Sequence, residues 1–116
     1  TPEYNFSIPG MLKNTIDWIS RGEDQPFTHK PVAILSASTG LLGGARGQYD
    51  LRRAMLFVHA DALVKPEVFV GQVQNKFDAD GVCTDVMTRT FVKAQMDAFV
   101  KHVQRVAAIQ QASLAS

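Results

Sequence analysis

Met11, Leu12, Thr15 (through its methyl group), Ile16 and Ile19 recur at three- and four-residue steps, with Lys13, Asn14, Asp17 and Ser20 opposite. That period predicts an amphipathic helix over residues 9–21, capped by Ser7, entered through Pro9 and stopped near Gly22. Residues 23–31 are polar, carry two prolines and read as loop. The pattern changes at Val32-Ala33-Ile34-Leu35, an unbroken apolar run between Pro31 and a Ser/Thr/Gly-rich segment. Without alternation it predicts a strand buried on both faces, as in a parallel sheet. After a loop at 36–44, Leu51, Ala54, Met55 and Val58 mark the inner face of a second helix over 45–59. Ala62-Leu63-Val64 and Val68-Phe69-Val70 read as one bent edge strand interrupted by Pro66, and 72–81 as polar loop. A last helix is expected over 84–110, with Val92, Met96, Phe99, Val100, Val103, Val106 and Ala107 inward and 111–116 frayed.

Helix, strand, helix, strand, helix implies an α/β fold with a parallel sheet. Two strands are too few for three helices to pack on, so the pattern calls for more sheet than these residues supply. The chain also opens on a distinctive motif without a methionine. The expectation is that residues 1–116 form the C-terminal part of a single domain.

Composition narrows the function classes. Hydrophobic residues make up 46% and charged residues 20%, with a net charge of +1. Basic side chains are spread evenly, which gives no electrostatic case for nucleic acid or an anionic membrane surface. No apolar run reaches the ~18–20 residues that span a bilayer. The single cysteine, Cys83, has no internal disulfide partner, so a soluble cytoplasmic protein is expected.

Two segments could carry chemistry. Thr1 to Gly10 would place backbone amides, an aromatic ring and an amide side chain where a strand meets a helix, the end of a parallel sheet at which ligands bind. It also reads as a turn shaped by Pro, Asn and Ser, and chemistry alone leans slightly to that reading. The Gly-rich loop Ser36 to Gly44 opens a helix and adds the hydroxyls of Ser38 and Thr39. Such a cradle suits a polar ring edge or an anion, and serves simple turns about as often. It has neither the P-loop ending nor the dinucleotide Gly spacing. His29, His59 and His102 are isolated, with His59 ending a helix and His102 on a polar helix face, so metal binding is not expected. No nucleophile elbow is present, and Cys83 has no neighbouring base. Trp18, Phe57 and Phe99 read as core or interface packing.

The run Pro2 to Trp18 resembles the NADPH-dependent FMN reductase family. Lys30-Pro31-Val32-Ala33-Ile34, Gly43-Gly44-Ala45-Arg46, Gln48-Tyr49-Asp50-Leu51-Arg52, Lys65-Pro66-Glu67 and Gln74-Asn75-Lys76-Phe77-Asp78 continue the likeness, which looks closest to the bacterial quinone and chromate reductase branch. The resemblance implies a flavodoxin-like parallel sheet, order 2-1-3-4-5 in the complete domain, of which this chain would cover about the last two strands and three helices. It implies FMN and NAD(P)H as cofactors, with the flavin ring lined by Pro2, Glu3, Tyr4, Asn5 and Phe6 and approached by Ser38. The family's Gly-Ser-x-Arg-type phosphate loop is not in this sequence, and its common tyrosine at position 6 is Phe6 here. The first three strands and the phosphate loop are therefore expected in a segment preceding Thr1. Family members form dimers and tetramers, so Arg46, Tyr49 and Glu67 are expected to bridge subunits, against the reading that they are a solvated surface group.

The function implied is hydride transfer from NAD(P)H through flavin to a quinone, azo or chromate-type acceptor, with no residue acting as general acid or base. The alternative is a non-enzymatic flavin protein, an electron carrier or a redox-responsive binding protein. Carriers rely on strong charge complementarity, which a net charge of +1 does not supply.

Overall fold

The computed structural model describes residues 1–115. Its elements in chain order are α1 (Gly10–Ile19), β1 (Pro31–Val32), β2 (Leu35–Ala37), α2 (Ala45–Phe57), β3 (Asp61–Ala62), β4 (Val68–Val70) and α3 (Val86–Leu114), with a 3₁₀ turn at Val73–Asn75 within the expected 72–81 loop.

The strands pair in parallel, as the apolar runs predicted, but the single strand expected at 32–35 is two pieces. Pro31 and Val32 stand opposite Asp61 and Ala62, and Leu35 to Ala37 opposite Val68 to Val70. Between these pairs, residues 63–67 face only 33–34. Pro66 has no N–H to offer a ladder, so the second strand bulges out there. The expected 62–64 piece shifts to Asp61–Ala62; Leu63 keeps one bond, to the Val32 carbonyl at 2.8 Å, and Val64 is exposed.

A broken ladder leaves carbonyls in need of donors. Gln95 Nε2 donates to the Ile34 and Pro66 carbonyls at 3.0 and 3.1 Å, and Arg52 Nη1 to the Leu63 carbonyl at 2.9 Å. His102 Nε2 lies 2.8 Å from the Asp61 carbonyl. Arg105, 3.1 Å from His102 Nδ1, can only donate, so Nδ1 accepts and Nε2 carries the proton to Asp61.

These bonds decide which face of α3 turns inward. Thr88, Val92, Gln95, Phe99, His102 and Val106, at alternating four- and three-residue steps, are buried or half-buried, as is Ala98 beside them. Val92, Phe99 and Val106 were expected inward; Met96, Val100, Val103 and Ala107 are exposed instead. His102 does not lie on a polar face but is buried at the sheet. Residues 111–114 are helical rather than frayed, and Ser116 lies outside the described residues. The helix starts at Val86, with the Asp85 carboxylate accepting the Thr88 amide at 2.7 Å.

On the other side of the sheet, Ile8, Ile16, Ile34, Leu51 and Met55 form the core, joined by Leu12, Phe27, Val32, Val58 and Ala60. Leu12 and Ile16 alone of the expected α1 face turn inward. Ser7 does not cap α1. Pro9 stands at that position without a side-chain bond, and the helix ends at Ile19, before Gly22. The second helix stops at Phe57, two residues short of His59. Trp18 and Phe57 are exposed and belong to no core here, while Phe99 stacks on the His102 ring at 6.4 Å.

The molecule measures 51 × 30 × 22 Å with a radius of gyration of 16.0 Å. About 13 Å is usual for this length. Its accessible surface is 7882 Å², against about 6,200 Å² for a self-contained domain of this mass. The excess is apolar: Met11, Trp18, Leu56, Phe57, Val64 and Val100 are among the large side chains it exposes. No helix of the described residues is long and apolar enough to cross a membrane.

Candidate functional site

Tyr4 to Ser7 form a tight turn. The Tyr4 amide donates to the Ser7 carbonyl at 2.9 Å and the Ser7 amide to the Tyr4 carbonyl at 3.0 Å. Asn5 and Phe6, the central residues, both have positive φ, 48° and 76°. That is the mirror-image hairpin geometry, which asparagine tolerates and phenylalanine resists. Strain of this kind costs of order 1–3 kcal/mol and persists only where surrounding contacts over-determine it. The turn carries Tyr4, Asn5 and Phe6 exposed at its tip, and the Asn5 amide has no side-chain hydrogen bond among the described residues.

The loop between β2 and α2 comes to the same place. Ser38 follows the end of β2, its amide bonded to the Val70 carbonyl at 2.9 Å and its hydroxyl turned to the Gly40 carbonyl at 3.3 Å. Gly43 and Gly44 have φ of 59° and 82°. A Cβ at Gly43 would lie 2.7 Å from the Phe69 backbone, and one at Gly44 2.9 Å from Ser36 Cβ, so only glycine lets the loop pass here. Beneath it runs a buried polar chain. The Ser36 hydroxyl donates to the Gly43 carbonyl at 2.7 Å, and Gln48 Nε2 donates to Ser36 Oγ and the Val68 carbonyl at 3.0 and 3.1 Å. Arg52 Nη2 completes it on Gln48 Oε1 at 3.2 Å. Sequence reasoning placed Ser36 in the Gly-rich loop rather than in β2 and gave Gln48 and Gln95 no role, because a polar residue inside an apolar face leaves no periodic signal.

Glu3, Ser38, Gly40, Leu41, Leu42, Gly44 and Arg46 line one cavity of 260 Å³ at the carboxyl ends of β2 and β4. Two of the residues expected at the site, Glu3 and Ser38, thus meet, with Tyr4, Asn5 and Phe6 on the adjoining turn. Pro2 is exposed and flanks them. Glu3 Oε2 accepts the Arg46 and Gly47 amides at 3.0 and 3.2 Å, and Oε1 pairs with the Arg46 guanidinium. Burial pushes its carboxyl up, but the Gly47 amide and Arg46 outweigh this and hold it below the ordinary glutamate value. Arg46 also lies over the Phe6 ring, 4.1 Å from its centroid.

Of the three expected interface residues, Arg46 is engaged with Glu3 and Phe6, not with Glu67. Glu67 pairs with Lys65 at 2.6 Å and with the Tyr49 hydroxyl. Lys65 first, then Tyr49, hold the Glu67 carboxyl low, while Glu67 raises both the Tyr49 phenol and the Lys65 ammonium. Tyr49 further packs on Phe69, ring centroids 5.9 Å apart.

Residues 1–75 match the family model described as NADPH-dependent FMN reductase. The chain belongs to this family. It is 48% identical over 106 residues to an NAD(P)H-dependent FMN reductase of Pseudomonas aeruginosa and 49% identical over 107 residues to a quinone reductase of Escherichia coli, each alignment covering 91% of this chain. The chain spans 57% of the length of each of these relatives. Among solved structures it is similar to FerB, a flavoenzyme NAD(P)H:(acceptor) oxidoreductase from Paracoccus denitrificans, with a TM-score of 0.80 and 38% identity over 90% of this chain and 58% of that one. The likeness places the chain in the flavodoxin-like α/β class.

The donor set fits the family's cofactor. Exposed aromatic rings, the Asn5 carboxamide and a loop opened by Gly40, Gly43 and Gly44 suit a flat ring with polar edges.

Proposed function

We propose that this FMN reductase family chain contributes the flavin-ring side of an FMN-dependent NAD(P)H oxidoreductase acting on quinone, azo or chromate-type acceptors. The observation that carries the reading is the cavity shared by Glu3, at the foot of the strained Tyr4–Ser7 turn, and the Ser38–Gly44 loop at the carboxyl ends of parallel strands. Pro2, Glu3 (through its backbone), Tyr4, Asn5 and Phe6 would hold the ring, with Ser38 beside them. FMN held there would supply the redox chemistry, hydride transfer from NAD(P)H and reduction of the acceptor. The chain's own contribution is to hold the ring and keep a face open. Tyr4 and Phe6 are 60% and 66% exposed, leaving an aromatic rim against which flat, apolar partners can lie. No side chain at the rim is assigned a proton.

The flavin phosphate would be held by a Gly-Ser-x-Arg-type loop in a segment preceding Thr1, which would also complete the sheet in the order 2-1-3-4-5. The surface excess and the exposed apolar face of α3 support this. We further propose a cytoplasmic homodimer or homotetramer in which Arg46, Tyr49 and Glu67 meet the neighbouring subunit. Arg46 and Tyr49 stand three residues apart on α2, Arg46 over exposed Phe6 and Tyr49 beside Glu67, which supports it.

Oxidation of NADPH with a quinone acceptor, measured on the complete protein with FMN added, tests the function. Turnover well above the flavin-only background is expected. Stoichiometric FMN binding with turnover at background would favour the electron-carrier reading instead.

A further inference from the structure

Glu3 stands in the loop proposed to line the flavin, yet both oxygens of its carboxylate are taken up within the protein. Its side chain is 7% exposed, and both oxygens are engaged by the first turn of α2. That turn needs an outside acceptor. Its N-cap is Gly44, which has no side chain, so the Arg46 and Gly47 amides would otherwise be unpaired. Glu3 caps the helix from more than forty residues away.

The helix is built for this. Gly47 sits in the first turn of α2, where glycine is a poorer helix former than alanine. A Cβ there would lie 2.9 Å from the Ser7 carbonyl and 3.2 Å from Glu3 Cβ. The glycine thus admits the loop to contact with α2. A second tie lies one turn along, where the Ser7 hydroxyl donates to Asp50 Oδ2 at 2.6 Å. The two ties fall on either side of Asn5 and Phe6, the two residues in left-handed conformation.

We propose that Glu3 is a positioning residue, whose carboxylate holds the Tyr4–Ser7 turn against the α2 amino terminus in its strained form before any flavin arrives. This rests on the proposed flavin site for its purpose, though not for its geometry. Without Glu3 the turn relaxes, and flavin binding must rebuild it, which lowers affinity without removing any group that touches the ring.

The test uses the complete protein, with Glu3→Ala, Glu3→Gln and Ser7→Ala. Amide hydrogen exchange of Tyr4 and Ser7 without FMN reads the turn, fluorescence titration with FMN reads its consequence, and circular dichroism checks the fold. Expected are faster exchange at both amides in Glu3→Ala, an FMN affinity lower by roughly tenfold, and partial rescue of both by Glu3→Gln, whose amide oxygen still accepts. Ser7→Ala should give the same pattern more weakly, and serves if Glu3→Ala does not fold. Folded variants with wild-type exchange at Tyr4 and Ser7, or with wild-type FMN affinity, overturn the proposal. Faster exchange in Glu3→Ala beside a wild type that binds no FMN would uphold the clamp and sink the flavin reading instead.

Discussion

Asn5 and Ser38 can be tested one atom group at a time. Each offers a polar side chain at the rim where the two loops meet, and neither is part of the core. Asn5→Ala and Ser38→Ala should each weaken FMN binding by about 0.5–1.5 kcal/mol, the usual net worth of one hydrogen bond. Fluorescence titration in which both match wild type would remove them from the site. Gln48 poses the opposite case. It is fully buried and serves Ser36, the Val68 carbonyl and Arg52 together. Gln48→Leu keeps the volume but orphans those groups, so a loss of about 2–3 kcal/mol is expected in urea unfolding. The periodic pattern marked Leu51 and Met55 beside it and was silent about Gln48, since hydrophobicity cannot signal a hydrogen bond.

At the scale of elements, three carboxylates fasten helix ends and loops: Glu3 at α2, Asp85 at α3 and Glu67 between β3 and β4. All three are held below their ordinary values, 4.5 for the glutamates and 3.8 for Asp85. A carboxyl held low in the fold stabilises it above its unfolded value, and that contribution disappears as pH falls through the folded one. The urea midpoint of the protein should therefore decline between about pH 5 and pH 3. Asp85→Asn with Glu3→Gln should flatten the decline; an unchanged slope would show that other groups carry it. The orientation of α3 belongs to this scale too. Gln95 sets it, because its side chain bonds two carbonyls left by the break in the strands. Gln95→Ala should loosen α3 from the sheet and lower the thermal midpoint more than Val100→Ala, whose side chain is exposed.

For the whole molecule, the excess surface makes a prediction that needs no cofactor. A 116-residue polypeptide of this sequence by itself exposes Trp18, Leu56, Phe57, Val64 and one apolar stripe of α3. Patches of this kind bind apolar dyes and associate. Expressed alone, it should bind such a dye and melt without a sharp transition. Cooperative melting of a monodisperse species without dye binding would mean these faces need no cover. In the complete protein, Tyr49→Ala with Glu67→Ala should shift the assembly toward smaller species by light scattering, if the proposed contact is the one that joins subunits.

By itself the sequence determined the order of elements, the parallel pairing and the family, because each rests on local information. Helical periods, unbroken apolar runs and the stretch from Pro2 to Trp18 can be read without knowing what lies opposite. The break between β1 and β2 could not be read so, since it arises from Pro66 more than thirty residues away and shows only once the strands lie side by side. The same holds for the inward face of α3. Its apolar stripe has two candidate sides, and the choice went to the one whose Gln95 and His102 reach carbonyls of the strands. Glu3 is the clearest case. In the chain it is one acidic residue in a loop, and tertiary structure alone brings it to two helix-end amides and the Arg46 guanidinium, which together offset the burial of its charge.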